Sequence, residues 1–406
     1  MAATTATLVA NYLKDLHLNK QAVVTAMYKD KPLLNWITKE YSVPGQVWLQ
    51  TVGYSLSAGA SNTFTTAQSN AKLPNPARFT INPVDIYGVE TLTRKLMMQA
   101  KSDGSLINLT TEKFKILLMT LSNKAHKQLY RSGTGVIGRR SSISTNTITL
   151  TNPADAANFY KNMVIVASAA DGGALRTGSA IVTNVDRGRS TATVTVDSAA
   201  GISSFADNDY LYQQGDAANN STNVALSGLE AWIPETVSAT TFWGVDRTAD
   251  VQNLAGYRIN ATTELLGARD SIEALITEMQ TLTGVVPDAI FTTPRVAEAV
   301  RISASDAIRF VQVKGTAQLV IDAFEILGVP VIADYMCPTG KAFALKKDAL
   351  SLKFVNPGFP DIVNEDGSDQ SRVYNDDAYE MRSSNYCQLV VNSPIMTGVA
   401  YNIPSS

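Results

Sequence analysis

Residues that carry chemistry are scarce in this sequence. Its 406 residues include two cysteines, Cys337 and Cys387, and two histidines, His17 and His126. Two widely separated cysteines exclude a disulfide scaffold, and each reads as a small apolar residue near a strand. No C-x-x-C or H-E-x-x-H pairing occurs, which excludes a zinc site built from such ligands. A Ser–His–acid centre would have to use one of the two histidines, and no G-x-S-x-G elbow is present. Charged residues make up 17%, against about 25% in an ordinary domain. The 34 basic and 36 acidic side chains leave a formal charge of -2, which disfavours a disordered polyelectrolyte or a dedicated DNA-binding protein. No apolar run reaches the roughly 18 residues of a membrane span, and MAATTATLVANYLKDLHLNK lacks the basic-then-apolar order of a signal peptide. The expectation is a soluble chain made in a cytoplasm, with no catalytic centre, cofactor or membrane.

What is present is a core-forming chain, 45% hydrophobic and long enough for two or three domains at about 150 residues each. Residues 1–42 read as an N-terminal arm with one or two short helices. Residues 43–92 read as one extended β-hairpin loop, in which Val47–Val52 is answered by Arg78–Ile81. Its tip, SLSAGASNTFTTAQSNAKLPN, holds almost no core-forming residue, so it is expected to lie against another chain. Within 93–140 a helix is expected from a Thr110 cap, with Phe114, Leu117, Leu118, Leu121, Ala125 and Leu129 on one stripe. Residues 141–216 carry four short Val/Ile/Thr-rich runs separated by turns, the pattern of an inserted small β-barrel or sandwich. Residues 217–256 read as a connection back to the core. Residues 257–350 are mixed α/β, with an amphipathic helix ending at Gly284 and a second starting at Thr293-Pro294. Residues 351–406 close the chain with a Gly- and acid-rich loop and two return strands.

Two motifs fail on context. Gly133-Thr134-Gly135-Val136-Ile137-Gly138 matches G-x-G-x-x-G but follows a helix and precedes β-rich sequence, the reverse of a phosphate cradle. In the acidic loop, aligning Gly367 with the EF-hand glycine puts Ile362 and Val373 at ligand positions, where neither can coordinate. Charge is segregated rather than absent. Residues 94–140 hold ten Lys/Arg against two acids, and residues 361–380 hold seven acids against Arg372. A basic band attracts phosphate without reading sequence, and opposed bands can pair between neighbouring copies.

The order of parts resembles the major capsid protein of tailed bacteriophages, the Hong Kong 97-like fold. The stretches that carry the resemblance are TTEKFKILLMTLSNKAHKQLYRSG, PDAIFTTPRVAEAV, GVPVIADYMCPTGKAFALKKDALSL and AYEMRSSNYCQLVVNSPIMTGVAYNI. The resemblance implies an α+β subunit with arm, extended loop, spine helix, peripheral domain and axial domain. Copies would form hexamers and pentamers of an icosahedral shell enclosing double-stranded DNA. It implies a separate scaffolding protein, because the arm shows no heptads, together with a portal protein and a decoration protein as further partners. Trp48, Phe64 and Phe79 are expected to anchor the loop on a neighbour, and Lys72 is the lysine near its tip. Lys124, Lys127, Arg131, Arg139 and Arg140 are the basic residues expected to face the lumen or another subunit. The alternatives are a virion surface, tail or adhesin protein that grips a receptor with 141–216, and a hydrolase on the α/β part.

Overall fold

A computed structural model of the chain describes residues 31–54, 59–71, 76–94, 103–220, 224–303, 324–362 and 371–404. Residues 1–30 of the expected arm, His17, Lys72 and the centre of the acidic loop lie outside them, while the rest of the arm holds one short helix, Pro32–Trp36. Among the described residues no helix is long and apolar enough to cross a membrane.

The α/β part is a six-stranded sheet. Its strand order is Tyr257–Asn260, Thr397–Tyr401, Ala342–Leu345, Ala289–Thr292, Val329–Ala333, Phe324–Ile326. The central strands Ala289–Thr292 and Ala342–Leu345 are buried at every position because alternate side chains enter different cores. Ile290 and Ala344 face the helices Ala268–Thr283 and Pro294–Ser303, while Phe291, Phe343 and Leu345 face the main core. Both helices sit where the periodicity places them. Ile272, Leu275, Ile276 and Met279 form the buried stripe of the first, and Thr293 Oγ1 accepts from Val296 N–H at the start of the second.

A second, five-stranded sheet is built on the long strand Ala378–Val391. One edge pairs with Leu350–Phe354 and Ser371–Arg372, the other with Val84–Thr93. Thr38–Glu40 adds in parallel to Leu350–Phe354, so part of the expected arm is sheet. Val84–Thr93 likewise belongs here and not to the hairpin loop. Only Tyr386–Val391 of the long strand is legible in the sequence. Its first half buries Ser383 and Asn385 alongside Met381, and the two polar residues hide the alternation.

The spine helix Asp103–Tyr130 packs across this sheet. Its 28 residues span about 42 Å. The helix starts well before Thr110, so Thr110 is interior and not its cap. Leu117, Leu118, Leu121, Ala125 and Leu129 are buried as the stripe requires. Gly88 lets the helix come close: a Cβ there would lie 2.9 Å from side-chain carbons of Leu117 and Leu121.

The hairpin consists of Trp48–Gly53 and Pro76–Ile81, in register from Trp48↔Ile81 to Gly53↔Pro76. One face is buried within its own subunit, which corrects two expected anchors. Phe79 is fully buried beside Trp232, ring centroids 5.2 Å apart, and Trp48 is 7% exposed. Alternation shows that one face is covered, but not which chain covers it. The connection 217–256 supplies that cover: Leu226, Leu229, Trp232 and Ile233 belong to the same core. The far end of the hairpin differs. Its short helix Phe64–Asn70 buries no residue, and Phe64 is 81% exposed.

The β-rich insertion is a closed barrel, in the order Tyr210–Gln213, Val136–Ser144, Thr147–Leu150, Thr193–Val196, Ala180–Asp186, Val164–Ser168. Ile148, Ile165, Val182, Val194, Leu211 and Phe159 fill it. The entering and leaving strands pair with each other, Tyr212 opposite Val136. The barrel therefore begins at Val136, not at residue 141, and takes Arg139 and Arg140 out of the spine. The glycine motif is the hinge between them. Gly135 has φ +90°, and a Cβ there would lie 1.9 Å from the carbonyl oxygen of Asp216, so only glycine lets the two barrel ends meet.

Candidate assembly surfaces

The C-terminal half of the spine helix links the strand Val84–Thr93, Asp334 beside the six-stranded sheet, and the barrel. On its buried side, His126 Nε2 lies 2.8 Å from Asp334 Oδ2, and both side chains are fully buried. A carboxylate only accepts, so Nε2 carries the proton. Tyr130 OH donates to the same oxygen at 2.9 Å, Met336 N–H donates to Oδ1 at 3.0 Å, and Leu33 N–H approaches Oδ2 at 3.4 Å. Burial pushes the Asp334 carboxyl up, but these donors and the His126 charge outweigh it and hold it below the usual carboxylate range. Burial pushes the thiols the other way: Cys387 rises to about 12, and Cys337, near Asp334, rises well above its ordinary value. Both cysteines are buried and inert. Among the described residues no cluster of acids, histidines and cysteines could hold a metal ion.

Lys124, Arg131 and Arg140 are neutralised inside the chain, which corrects their expected outward role. Lys124 Nζ pairs with Asp216 at 2.9 Å, Arg131 with Asp155 at 2.7 Å and Arg140 with Asp207 at 3.0 Å. Arg139 Nε donates to the Asn208 carbonyl at 2.9 Å, and its guanidinium lies over the Tyr210 ring. All four residues thus fasten the barrel, either to the spine or within itself. The sequence shows the cations as a band, but their acids lie in the barrel, far along the chain, and no local signal joins them.

Lys127 is the exception. Among the described residues it makes no ion pair or hydrogen bond of its own. It opens on a cleft of about 590 Å³ between the spine, the strand Val84–Thr93 and the barrel. Leu117, Leu121, Phe159 and Met336 supply its apolar lining, and Lys124 and Arg187 stand beside Lys127. Burial, then the charges of Arg131 and Lys124, draw the Lys127 ammonium down to about 8, against the pull of Asp216 and Asp155.

Two further surfaces project. One is the hairpin tip with Phe64. The other is the turn between Ser371–Arg372 and the long strand. There Tyr374 is 99% exposed, and Asp376 and Asp377 are exposed beside it. Arg94 reaches Asp377 at 3.6 Å, both half in solvent.

No protein-family model and no curated protein matches the chain. Among solved structures, the capsid asymmetric unit of cyanophage A-1(L) aligns over 92% of this chain and 92% of that one, with TM-score 0.53 and 13% identity. The SrpI encapsulin of Synechococcus elongatus PCC 7942 aligns over 93% and 88%, with TM-score 0.47 and 11% identity. The first likeness extends over nearly the whole chain and shows a shared fold. The protein has the Hong Kong 97-like fold, to which a closed six-stranded barrel has been added.

Proposed function

We propose that the protein is the structural subunit of a bacteriophage icosahedral capsid, self-assembling into hexamers and pentamers around double-stranded DNA. The observation that carries the proposal is the hairpin tip. A helix with no buried residue and a phenylalanine 81% exposed gains nothing in a monomer, so another chain is its natural cover. The fold shared with the cyanophage A-1(L) capsid subunit supports the same reading. The hairpin base is anchored by Trp48 and Phe79 in its own core, and the tip reaches outward with Phe64 as its apolar contact. Many modest contacts repeated over a closed lattice then give large total stability.

The role is mechanical. Of the two histidines a hydrolase could use, His126 is sealed against Asp334 and Tyr130, and His17 lies outside the described residues. DNA is held by confinement and by non-specific contact, with the exposed Arg139 the basic candidate that faces solvent. A separate scaffolding protein, a portal and a decoration protein complete the set of partners. The place of action is the virion capsid, after synthesis in the host cytoplasm. Electron microscopy of the full chain, alone and co-expressed with its scaffold, tests this. Shells, tubes or ring-shaped capsomers are expected; protein that stays monomeric at every concentration in both settings overturns it.

A further inference from the structure

We propose that the cleft beside Lys127 is the socket for the acidic turn Tyr374–Asp377 of a second copy of the chain. The inference rests on the self-assembling reading above and names one contact that carries it. The socket offers an apolar floor, from Leu117, Leu121, Phe159 and Met336, with a cation at its wall. Lys124 and Arg131 have their own carboxylates at 2.9 and 2.7 Å; Lys127 has none at that range among the described residues. An ammonium beside apolar surface without a paired acid is costly, and an incoming carboxylate removes that cost.

The turn has the complementary chemistry. Tyr374 is an aromatic ring with almost its whole surface in water, and such a ring with a polar end suits a partly apolar pocket. Asp376 and Asp377 follow it after Asn375; Asp377 reaches Arg94 at 3.6 Å, and Asp376 supplies the carboxylate that Lys127 lacks. The cleft volume of about 590 Å³ accommodates a phenol ring and its neighbours. A polyanion such as DNA suits this cleft less well, because its apolar floor offers nothing to phosphate.

The turn cannot enter its own socket. It lies beyond the end of the paired strands, where Ala378 faces Thr93, whereas the socket borders Tyr87–Val89 on the same strand. Five residues of strand separate Gly88 from Thr93, roughly 16 Å along a stiff element. The contact must therefore join two copies. It pairs two different surfaces, so it repeats head to tail and closes a ring when the rotation allows.

The test uses the full chain with Lys127→Met and Tyr374→Ala, each followed by sedimentation velocity and electron microscopy. Tyr374 is exposed and makes no packing contact, so that variant keeps the thermal midpoint of the wild type. Each variant should raise the concentration needed for assembly at least tenfold. Mixing the two should yield discrete dimers that neither gives alone, because the mixture contains one intact socket and one intact turn. A peptide spanning 371–380 should bind the Tyr374→Ala protein and not the Lys127→Met protein. If both variants assemble like the wild type, the socket is wrong while the shell reading stands. If the wild type itself never assembles, the shell reading fails, and the peptide and mixing arms still judge the socket. Binding of a short DNA duplex at Lys127, with no peptide binding, overturns the inference in favour of nucleic acid.

Discussion

The side chains of His126 and Asp334 meet at 2.8 Å with no solvent on either, one on the spine helix and one just beyond a strand of the six-stranded sheet. Tyr130 and Leu33 reach the same carboxylate, so one buried acid joins the spine, the sheet and the segment that leads in from the N-terminus. Removing one member of a buried charged set costs roughly 3–5 kcal/mol. Asp334→Asn is expected to lower stability by about that much in urea titration of the monomer. Because Asp334 is held below its ordinary value, its contribution is full above about pH 4 and is lost as pH falls through the depressed folded value. The variant should show a flatter acid limb than the wild type.

Phe79 and Phe64 make opposite predictions from one hairpin. Phe79→Ala removes a fully buried ring and is expected to cost about 3–5 kcal/mol of monomer stability. Phe64→Ala should change it by less than about 0.5 kcal/mol, yet weaken assembly measured by light scattering. A large loss of monomer stability for Phe64→Ala would contradict its exposed placement.

Deleting 55–75 removes the projecting tip and leaves the paired base, Trp48–Gly53 with Pro76–Ile81. A folded monomer with near-native circular dichroism is expected, unable to build a stable lattice. Normal shells from this deletion would remove the hairpin from the assembly mechanism.

Lys127 gives a prediction above neutral pH. Its folded value, about 8, is below its unfolded value of 10.5, so between these the unfolded chain binds more protons and stability rises with pH. Below about pH 8 the penalty of the buried charge is fully present. Lys127→Met is therefore expected to stabilise the monomer by up to about 3 kcal/mol at pH 7. The difference should shrink as pH rises from 8 towards 10.5. Lys124, Arg131, Arg187, Asp155 and Asp216 surround the group, and none of them is altered by the substitution. A difference that stays constant across this range would show that Lys127 is not desolvated.

What was legible in the sequence was local. The helix through Ile272 and Met279, the Thr293-Pro294 start and the barrel strands Thr147–Leu150 and Thr193–Val196 all follow from periodicity and turn residues a few positions apart. The first barrel strand was hidden, because its glycines imitate a phosphate loop and its Arg139-Arg140 imitate the end of a charge band. Tyr210–Gln213 is four residues long, too short to display alternation. The assembly surfaces depended on distant partners. Whether Trp48 met its own chain or another was decided by Trp232 and its neighbours. Whether a cation was free was decided by Asp155, Asp207 and Asp216. No spacing rule links Lys127 to an unfilled cleft, or His126 to Asp334.

The barrel's first and last strands lie side by side, with Tyr212 opposite Val136. A module whose two ends share one doorway can be lifted out without parting the chain on either side of it. Its closure leaves no unpaired strand edge to stick to a neighbour. A lattice of many subunits could thus gain, lose or exchange this barrel as a cassette while its tiling geometry stays the same.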